Sequence, residues 1–103
     1  MKKIINKKLY NTETAELIAR HSNGLSRSDF NYIFEELYRT KKGNWFIHAE
    51  GGANTRYSVA CGNMQTGSET IIAIDKDEAY QFLEKNGFTD IIEDLFNTNI
   101  EEA

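Results

Sequence analysis

The first part of the chain carries two apolar patterns of different period. Between Met1 and Asn11, apolar pairs flank the polar Asn6-Lys7, which predicts a β-hairpin with a two-residue turn. From Thr12, a candidate N-cap, apolar residues recur at helical spacing until Asn23-Gly24, a typical helix stop. We therefore predict a hairpin followed by an amphipathic helix. The apolar positions of that helix are Ala15, Leu17, Ile18 and, near its end, His21.

The middle of the chain alternates with the period of a β-strand. Phe30–Tyr38 is rich in aromatic residues and leads into the turn Lys41–Asn44, after which Trp45–Ile47 is predicted to pair with it. A helix over Asp29–Tyr38 fits the same sequence, because several apolar residues also recur at helical spacing. Those residues are Phe30, Ile33, Phe34 and Leu37. The turn and the strand beyond it favour the extended interpretation.

Two more strands are predicted after the Gly51-Gly52 break. Arg56–Ala60 has the composition of a third strand, and Cys61–Ser68 is polar and glycine-rich, as loops are. Thr70–Ile74 is short and continuously apolar, which predicts a strand buried on both faces.

Two helices are predicted near the C-terminal end. Asp75 followed by Glu78 is a capping-box pattern, so Lys76–Lys85 is expected to be a helix that stops at Asn86-Gly87. Thr89 is the expected cap of the last helix. The core-facing residues are Ala79, Phe82 and Leu83 in the first helix and Ile91, Ile92, Leu95 and Phe96 in the second.

Together these elements predict an α+β fold in a single domain over residues 1–103. We expect an antiparallel sheet of three to five strands, built from the N-terminal hairpin and a central meander, with three helices, two of them C-terminal. A chain of 103 residues can bury one core but not two. Asn97–Ala103 is expected to fray.

Composition places the protein in the cytoplasm. No apolar run approaches the roughly 18 to 20 residues that cross a bilayer, and we expect no membrane association. The single Cys61 cannot form an internal disulfide, which fits a reducing compartment.

Charge is distributed unevenly along the chain. Residues 1–74 hold ten Lys/Arg and seven Asp/Glu, whereas residues 75–103 hold two Lys and nine Asp/Glu. The acidic C-terminal part would attract a basic partner, or it would serve solubility alone. The carboxylates expected to point outward are Asp77, Glu78 and Glu84 on the first helix, Asp90, Glu93 and Asp94 on the second, and Glu101 and Glu102 beyond.

Catalytic and metal-binding arrangements are weakly represented. His48 and Glu50 share a strand face, so the pair could move a proton, but a surface histidine is the favoured interpretation. Metal ligation would need Cys61 and His21 as well, without the usual paired spacings. We expect no catalytic residue, no metal and no cofactor.

Two other features could bind anions. Gly51-Gly52 could form a nest of backbone amides closed by Arg56, although glycines in such connections more often serve backbone geometry. A basic, aromatic patch could contact nucleic acid, or its aromatic residues could be half of a core. The patch consists of Arg39, Lys41, Lys42 and Trp45.

Several segments then allow a comparison with a family. They are Lys2–Asn6 with Tyr10–Ala15, Leu37–Phe46, Glu50–Gly52 followed by Tyr57, Ile71-Ile72, and Asp77–Ala79. In these segments the chain resembles a family of small proteins from phages and mobile elements of Gram-positive bacteria. Such accessory proteins resemble anti-CRISPR proteins, in particular inhibitors of the type II-A RNA-guided nuclease. No catalytic signature accompanies these motifs.

The resemblance implies a non-enzymatic inhibitor whose partner is a host CRISPR effector nuclease or its ribonucleoprotein complex. The predicted partner-binding residues are Glu50, Asn54 and Arg56 in the central loop and Asp77, Glu84, Glu93 and Asp94 on the helices. The alternatives are a nucleic-acid-binding accessory protein that uses the basic patch and a small enzyme centred on His48 and Glu50. An exposed strand edge would permit a homodimer.

Overall fold

The computed structural model describes residues 1–97 and 101–103. Eight strands precede two helices in the described part of the chain. The strands are β1 Lys2–Ile5, β2 Lys8–Asn11, β3 Glu16–Ser22, β4 Ile33–Arg39, β5 Trp45–Gly51, β6 Val59–Cys61, β7 Met64–Thr66 and β8 Ser68–Ile74. The helices are α1 Lys76–Lys85 and α2 Thr89–Phe96.

A four-stranded antiparallel sheet, in the order β3-β4-β5-β8, forms the centre of the molecule. β1 pairs only with β2, and β6 only with β7, so each pair forms a separate two-stranded hairpin. The predicted α+β class is confirmed. The number of helices is wrong, because the described residues contain two rather than three.

The N-terminal hairpin is confirmed, including its turn, but its predicted place in the main sheet is wrong, because β1 and β2 pair only with each other. Asn6 and Lys7 both have positive φ, at 51° and 67°, which is the conformation of a two-residue turn whose twist matches that of the strands. Thr12 closes the open end, because its amide donates to the Met1 carbonyl at 3.0 Å.

The predicted helix after Thr12 is wrong. The Asn11 side chain accepts the Glu13 amide at 3.0 Å, which folds the following residues into a turn, and β3 begins at Glu16. β3 pairs with β4 but shifts register between Leu17 and Ala19, so Ile18 is an extra residue. The extra residue interrupts the alternation of inward and outward side chains along β3. The apolar residues of this strand therefore have a spacing like that of a helix.

The central hairpin is confirmed, and the helix over Asp29–Tyr38 is excluded. The predicted start of the strand at Phe30 is wrong, because β4 begins at Ile33 and residues 30–32 lie outside it. All seven residues of β4 pair in register with the seven of β5, from Ile33 opposite Gly51 to Arg39 opposite Trp45. In the connecting turn, Gly43 has a φ of 86°, which glycine adopts without strain.

The predictions for residues 56–74 are partly wrong. Arg56 and Tyr57 lie in a turn, and the strand that follows, β6, pairs with β7 inside the predicted loop rather than with the main sheet. β8 is a strand as predicted, but it lies at the edge of the sheet. It is not buried on both faces, because Ile72 is 39% exposed.

The sheet separates two apolar clusters. Leu37 and Trp45 pack with α1 and α2 on what we call the helix face of the sheet, where Trp45 stacks on Phe96. On the opposite side, the hairpin face, Tyr38 and Phe46 pack against Tyr10 of β2. Because side chains alternate along a strand, neighbouring residues of β4 and β5 belong to different layers.

The predicted boundaries of α1 are confirmed. The Asp75 carboxylate accepts the Glu78 amide at 2.8 Å and the Glu78 side chain accepts the Asp75 amide at 3.1 Å. Beyond α1, Gly87 has a φ of 77°. The prediction for Thr89 is wrong, because α2 has Phe88 at its N-cap and no side-chain cap.

The core residues predicted for both helices do pack inward. Within the described residues, neither helix is long and apolar enough to cross a membrane. The expected fraying of Asn97–Ala103 includes residues 98–100, which lie outside the described residues.

Candidate functional site

A row of polar side chains crosses the hairpin face of the sheet. Each of the four strands contributes one member, so the row connects both edges of the sheet. The members, from β3 to β8, are Arg20, Glu36, His48 and Glu69. Arg20 lies opposite Glu36, and Glu36 opposite His48, so strand register brings three of them together.

His48 is held between two carboxylates in this row. Its Nδ1 is 2.8 Å from Oε1 of Glu36, and its Nε2 is 2.8 Å from Oε2 of Glu69. The side chain of His48 is 13% exposed and that of Glu36 is 8% exposed, whereas Glu69 is open to solvent. Both ring nitrogens can donate at the same time only in the imidazolium form.

Glu36 is the centre of the row. Its second oxygen accepts from Nε and Nη2 of Arg20 at 3.1 and 2.8 Å. Burial raises the pKa of Glu36, but hydrogen bonds from His48 and Arg20 outweigh burial and hold this pKa below its ordinary value. The row therefore contains a stable carboxylate that orients an imidazole. Proton transfer from Nε2 of His48 to a bound substrate would require Glu69 to move away, because Oε2 of Glu69 occupies that position.

A second polar cluster lies on the helix face. Glu35 is 4% exposed and accepts hydrogen bonds from the Tyr57 hydroxyl and from Nη2 of Arg56, the latter at 2.6 Å. Burial and then the hydrogen bond to Glu35 raise the pKa of Tyr57 to about 12. Arg56 also lies over the Tyr57 ring, 4.8 Å from its centroid. This cluster fixes the loop after β5 onto the sheet.

The three loop residues predicted to bind a partner do not form one surface. Glu50 lies on the hairpin face, where it pairs with Arg27 at 2.7 Å, whereas Arg56 pairs with Glu35 on the other face. Asn54 is exposed, and its backbone amide donates to the Phe30 carbonyl at 2.8 Å. The His48–Glu50 pair suggested by the sequence does not form either, because Glu50 forms an ion pair with Arg27 and His48 contacts Glu36 and Glu69.

The glycines of this loop permit close backbone packing. A Cβ on Gly52 would lie 2.5 Å from the carbonyl oxygen of Phe30, and the Gly52 amide already donates to the Tyr32 carbonyl at 2.9 Å. An anion nest would need that amide free. Gly52 therefore serves packing, which is the geometric alternative considered from the sequence.

The predicted nucleic-acid patch is split by the fold. Trp45 is 6% exposed and belongs to the core, so its ring offers no platform for stacking bases. Arg39 pairs with Glu16 at 2.8 Å and lies over Trp45. Lys41 and Lys42 are exposed at the tip of the β4–β5 turn. Only the lysines of this patch remain available to a ligand.

Carboxylates on the strands and on the helices differ in their partners. Every glutamate in the four-stranded sheet has a cationic or histidine partner. These glutamates are Glu16, Glu35, Glu36, Glu50 and Glu69. Within residues 1–97 and 101–103, no carboxylate of α1 or α2 forms an ion pair. We call the exposed helical residues Asp77, Glu84, Glu93 and Asp94 the acidic face.

Comparison with protein-family models, with curated proteins and with solved structures finds no match to this chain. The assignment of function therefore depends on the chemistry of the surfaces.

Metal binding has no support among the described residues, which contain no group of three His, Cys, Asp or Glu placed to hold an ion. Cys61 is exposed on the small hairpin β6–β7, so the proposed set with His48 and His21 does not assemble.

Sequence reasoning missed Glu36, Arg20 and Glu69 as members of one polar row. The available signal was Glu35-Glu36 in the middle of an otherwise apolar strand, because buried carboxylates require partners. The partners themselves are 12 to 33 positions away in sequence, and only the strand register identifies them.

Proposed function

We propose that this protein is a non-enzymatic inhibitor that uses its acidic face to bind the basic nucleic-acid channel of a defence nuclease. The partner is a type II CRISPR effector of the host, or its ribonucleoprotein complex, in the host cytoplasm. The choice of this partner comes from the sequence resemblance to phage and mobile-element proteins. The choice of surface comes from the distribution of ion pairs.

One observation carries the proposal: each glutamate of the sheet contacts an arginine or His48, whereas the described carboxylates of the helices have no ion-pair partner. Residues 75–97 contain seven carboxylates and two lysines, a net charge of −5 on two short helices. Exposed like charges repel each other, so cations of a partner would stabilise a cluster of this density. A channel that binds a phosphate backbone supplies such cations.

Rigid support favours the same surface. Phe82, Leu83 and Phe96 anchor the helices to the sheet, so the acidic face has a fixed shape before binding. Less conformational entropy is then lost on association. His48 is engaged on both ring nitrogens, so the site that most resembles a catalytic one is held in a structural arrangement.

The test is target cleavage by a purified type II effector loaded with guide RNA, with and without the protein. We expect inhibition by the wild type. Neutralising the acidic face (Asp77→Asn, Glu84→Gln, Glu93→Gln and Asp94→Asn) should weaken inhibition by about 30-fold, if each exposed pair contributes about 0.5 kcal/mol. The affinity of the variant should also depend less on salt.

A matched pair of single variants separates the acidic face from net charge. Glu93→Lys and Glu13→Lys change the charge equally, and both glutamates are exposed and lack an ion pair within the described residues. Only Glu93→Lys should reduce inhibition. Equal inhibition by the neutralised variant and the wild type would contradict the proposal.

A further inference from the structure

Two turns that are distant in sequence meet to form a groove lined by lysines. The N-terminal hairpin contributes Lys7 from its turn and Lys8 from the start of β2, and the β4–β5 turn contributes Lys41 and Lys42. The groove has a volume of about 410 Å³. Its remaining walls are formed by Leu9, Tyr10, Asn11, Thr14, Thr40 and Asn44. We call this site the lysine groove.

The charge in this groove is not neutralised by the protein. No Asp or Glu lines it, and all four lysines are exposed. Every arginine of the chain is in an ion pair, whereas none of these lysines is, within residues 1–97 and 101–103. The fold therefore pairs its arginines with carboxylates and leaves four exposed lysines without an ion pair among the residues that line one groove. Ammonium groups bind phosphate as point charges.

The conformation of Lys7 is a separate observation that points to the same site. Lys7 has a φ of 67°, a value that residues other than Gly, Asn and Asp rarely adopt. A turn of this type favours Asn-Gly, and the chain has Asn at position 6 but Lys at position 7. Glycine would relieve the strain but would remove one ammonium group from the groove. Strain that is retained in this way is typical of functional positions.

We propose that the lysine groove binds a ligand with two or more closely spaced phosphate groups. Four ammonium groups in one cavity match several negative charges better than a single one. Thr14, Thr40, Asn11 and Asn44 add polar residues to its walls. The oxygens of Thr40 and Asn11 already accept the amides of Asn44 and Glu13, which leaves the donors of these two side chains for an anion. Two sources have this chemistry, the backbone of a single-stranded nucleic acid and a free polyphosphate.

This site goes beyond the proposed inhibitor function, and the two can fail independently. The lysine groove includes the hairpin that covers one face of the sheet, whereas the acidic face lies on the helices that cover the other. Variants of one surface leave the residues of the other unchanged.

The test is fluorescence anisotropy with a labelled single-stranded oligothymidylate, titrated at several salt concentrations. If all four lysines contact phosphate, the logarithm of the binding constant should fall against that of salt with a slope of about −2.8. That slope corresponds to about a 50-fold loss of affinity between about 50 and about 200 mM salt. Competition with inorganic tripolyphosphate identifies the source of the phosphate groups. If tripolyphosphate displaces the oligothymidylate at an equal concentration of phosphate groups, the site binds free polyphosphate. If it displaces the oligothymidylate only weakly, the site binds a nucleic-acid backbone.

Lys7→Gly is the decisive variant, because it restores the favoured turn and removes one charge. Its urea midpoint should equal or exceed that of the wild type, whereas its salt slope should shrink by about 0.7. Lys41→Gln combined with Lys42→Gln should reduce the slope by about 1.4. Lys85→Gln, which removes one positive charge at the end of α1 as Lys7→Gly does in the turn, should leave binding unchanged. Absence of binding to both ligands at low salt, or full binding by Lys7→Gly, would overturn the proposal.

Discussion

Glu36 and His48 lie directly opposite each other on β4 and β5, and Oε1 of Glu36 is 2.8 Å from Nδ1 of His48. This contact joins the two central strands on the face that the helices do not cover. Because the carboxylate is almost buried, its charge depends on the donors around it, Arg20 as well as His48.

The depressed pKa of Glu36 predicts a specific acid sensitivity. A carboxylate with a lower pKa in the folded than in the unfolded state stabilises the fold above the unfolded value, and this stabilisation is lost as the pH falls through the folded value. As the pH falls below about 4.5, the ordinary pKa of a glutamate, wild type should therefore lose unfolding free energy more steeply than Glu36→Gln. Urea titrations across this range measure the difference. Glu13→Gln, at an exposed position, should follow the wild type, and parallel curves for all three proteins would contradict the prediction.

Tyr57→Phe should destabilise the protein by about 1 to 3 kcal/mol at neutral pH, because it removes a donor from the buried carboxylate of Glu35. Tyr10→Phe is the matched control: Tyr10 is equally buried, and its hydroxyl forms no hydrogen bond within the described residues. Urea unfolding gives both values. Equal stability of the two variants would show that the hydroxyl of Tyr57 contributes nothing.

The same tyrosine predicts alkaline behaviour. Its pKa is raised to about 12, so its contribution is complete below the ordinary value of 10 and is lost as the pH rises from there towards about 12. In a tyrosinate absorbance titration, Tyr57→Phe should lack the phenol that titrates last. A wild-type titration completed near the ordinary value would refute this assignment.

Gly52→Ala should cost about 2 to 3 kcal/mol, because the new Cβ would lie 2.5 and 2.6 Å from the carbonyl oxygens of Phe30 and Asp29. Backbone atoms cannot move aside as a flexible side chain can. Gly24→Ala has open space but a φ of 79°, so only backbone strain of about 1 kcal/mol should appear. Thermal or urea unfolding compares the two variants. A smaller loss for Gly52→Ala than for Gly24→Ala would contradict the close approach.

The two helix N-termini give a paired prediction. Asp75→Ala should cost about 1 kcal/mol, since it removes the accepting half of the capping box. Thr89→Ala should be nearly neutral, since Thr89 is the first residue of α2 and its hydroxyl caps nothing. Equal losses in urea unfolding would indicate that Thr89 does act as a cap.

The elements that could be predicted from the sequence depend on neighbours in the chain. The hairpin turn at Asn6-Lys7, the capping box at Asp75 and the stop at Gly87 are all decided within a few residues, and all three are confirmed. The helix predicted at β3 is wrong because Ala, Glu and Leu favour helices locally, whereas pairing with β4 fixes this segment as a strand. A bulge at Ile18 then hid the alternation that would have identified it.

The candidate sites depend on long-range pairing and were therefore less predictable. Lys41 was suspected from composition, but its approach to Lys7 across more than thirty residues needed the fold. Conversely, the sequence around Trp45 suggests a base-stacking residue, whereas in the structure the Trp45 ring packs against Phe96 of α2. The carboxylates of the acidic face were the easiest to predict, because an amphipathic helix fixes its outer side by period alone.

The three layers of the molecule also give it a permanent electric dipole moment. β1 and β2 with their turn carry four lysines and no carboxylate, while the helical layer across the sheet carries a net charge of −5. A charged surface nearby exerts a torque on such a molecule and turns it before any atoms touch. At physiological ionic strength, charges are screened beyond about 8 Å. The torque therefore selects which side of the protein meets the charged surface only during the final approach.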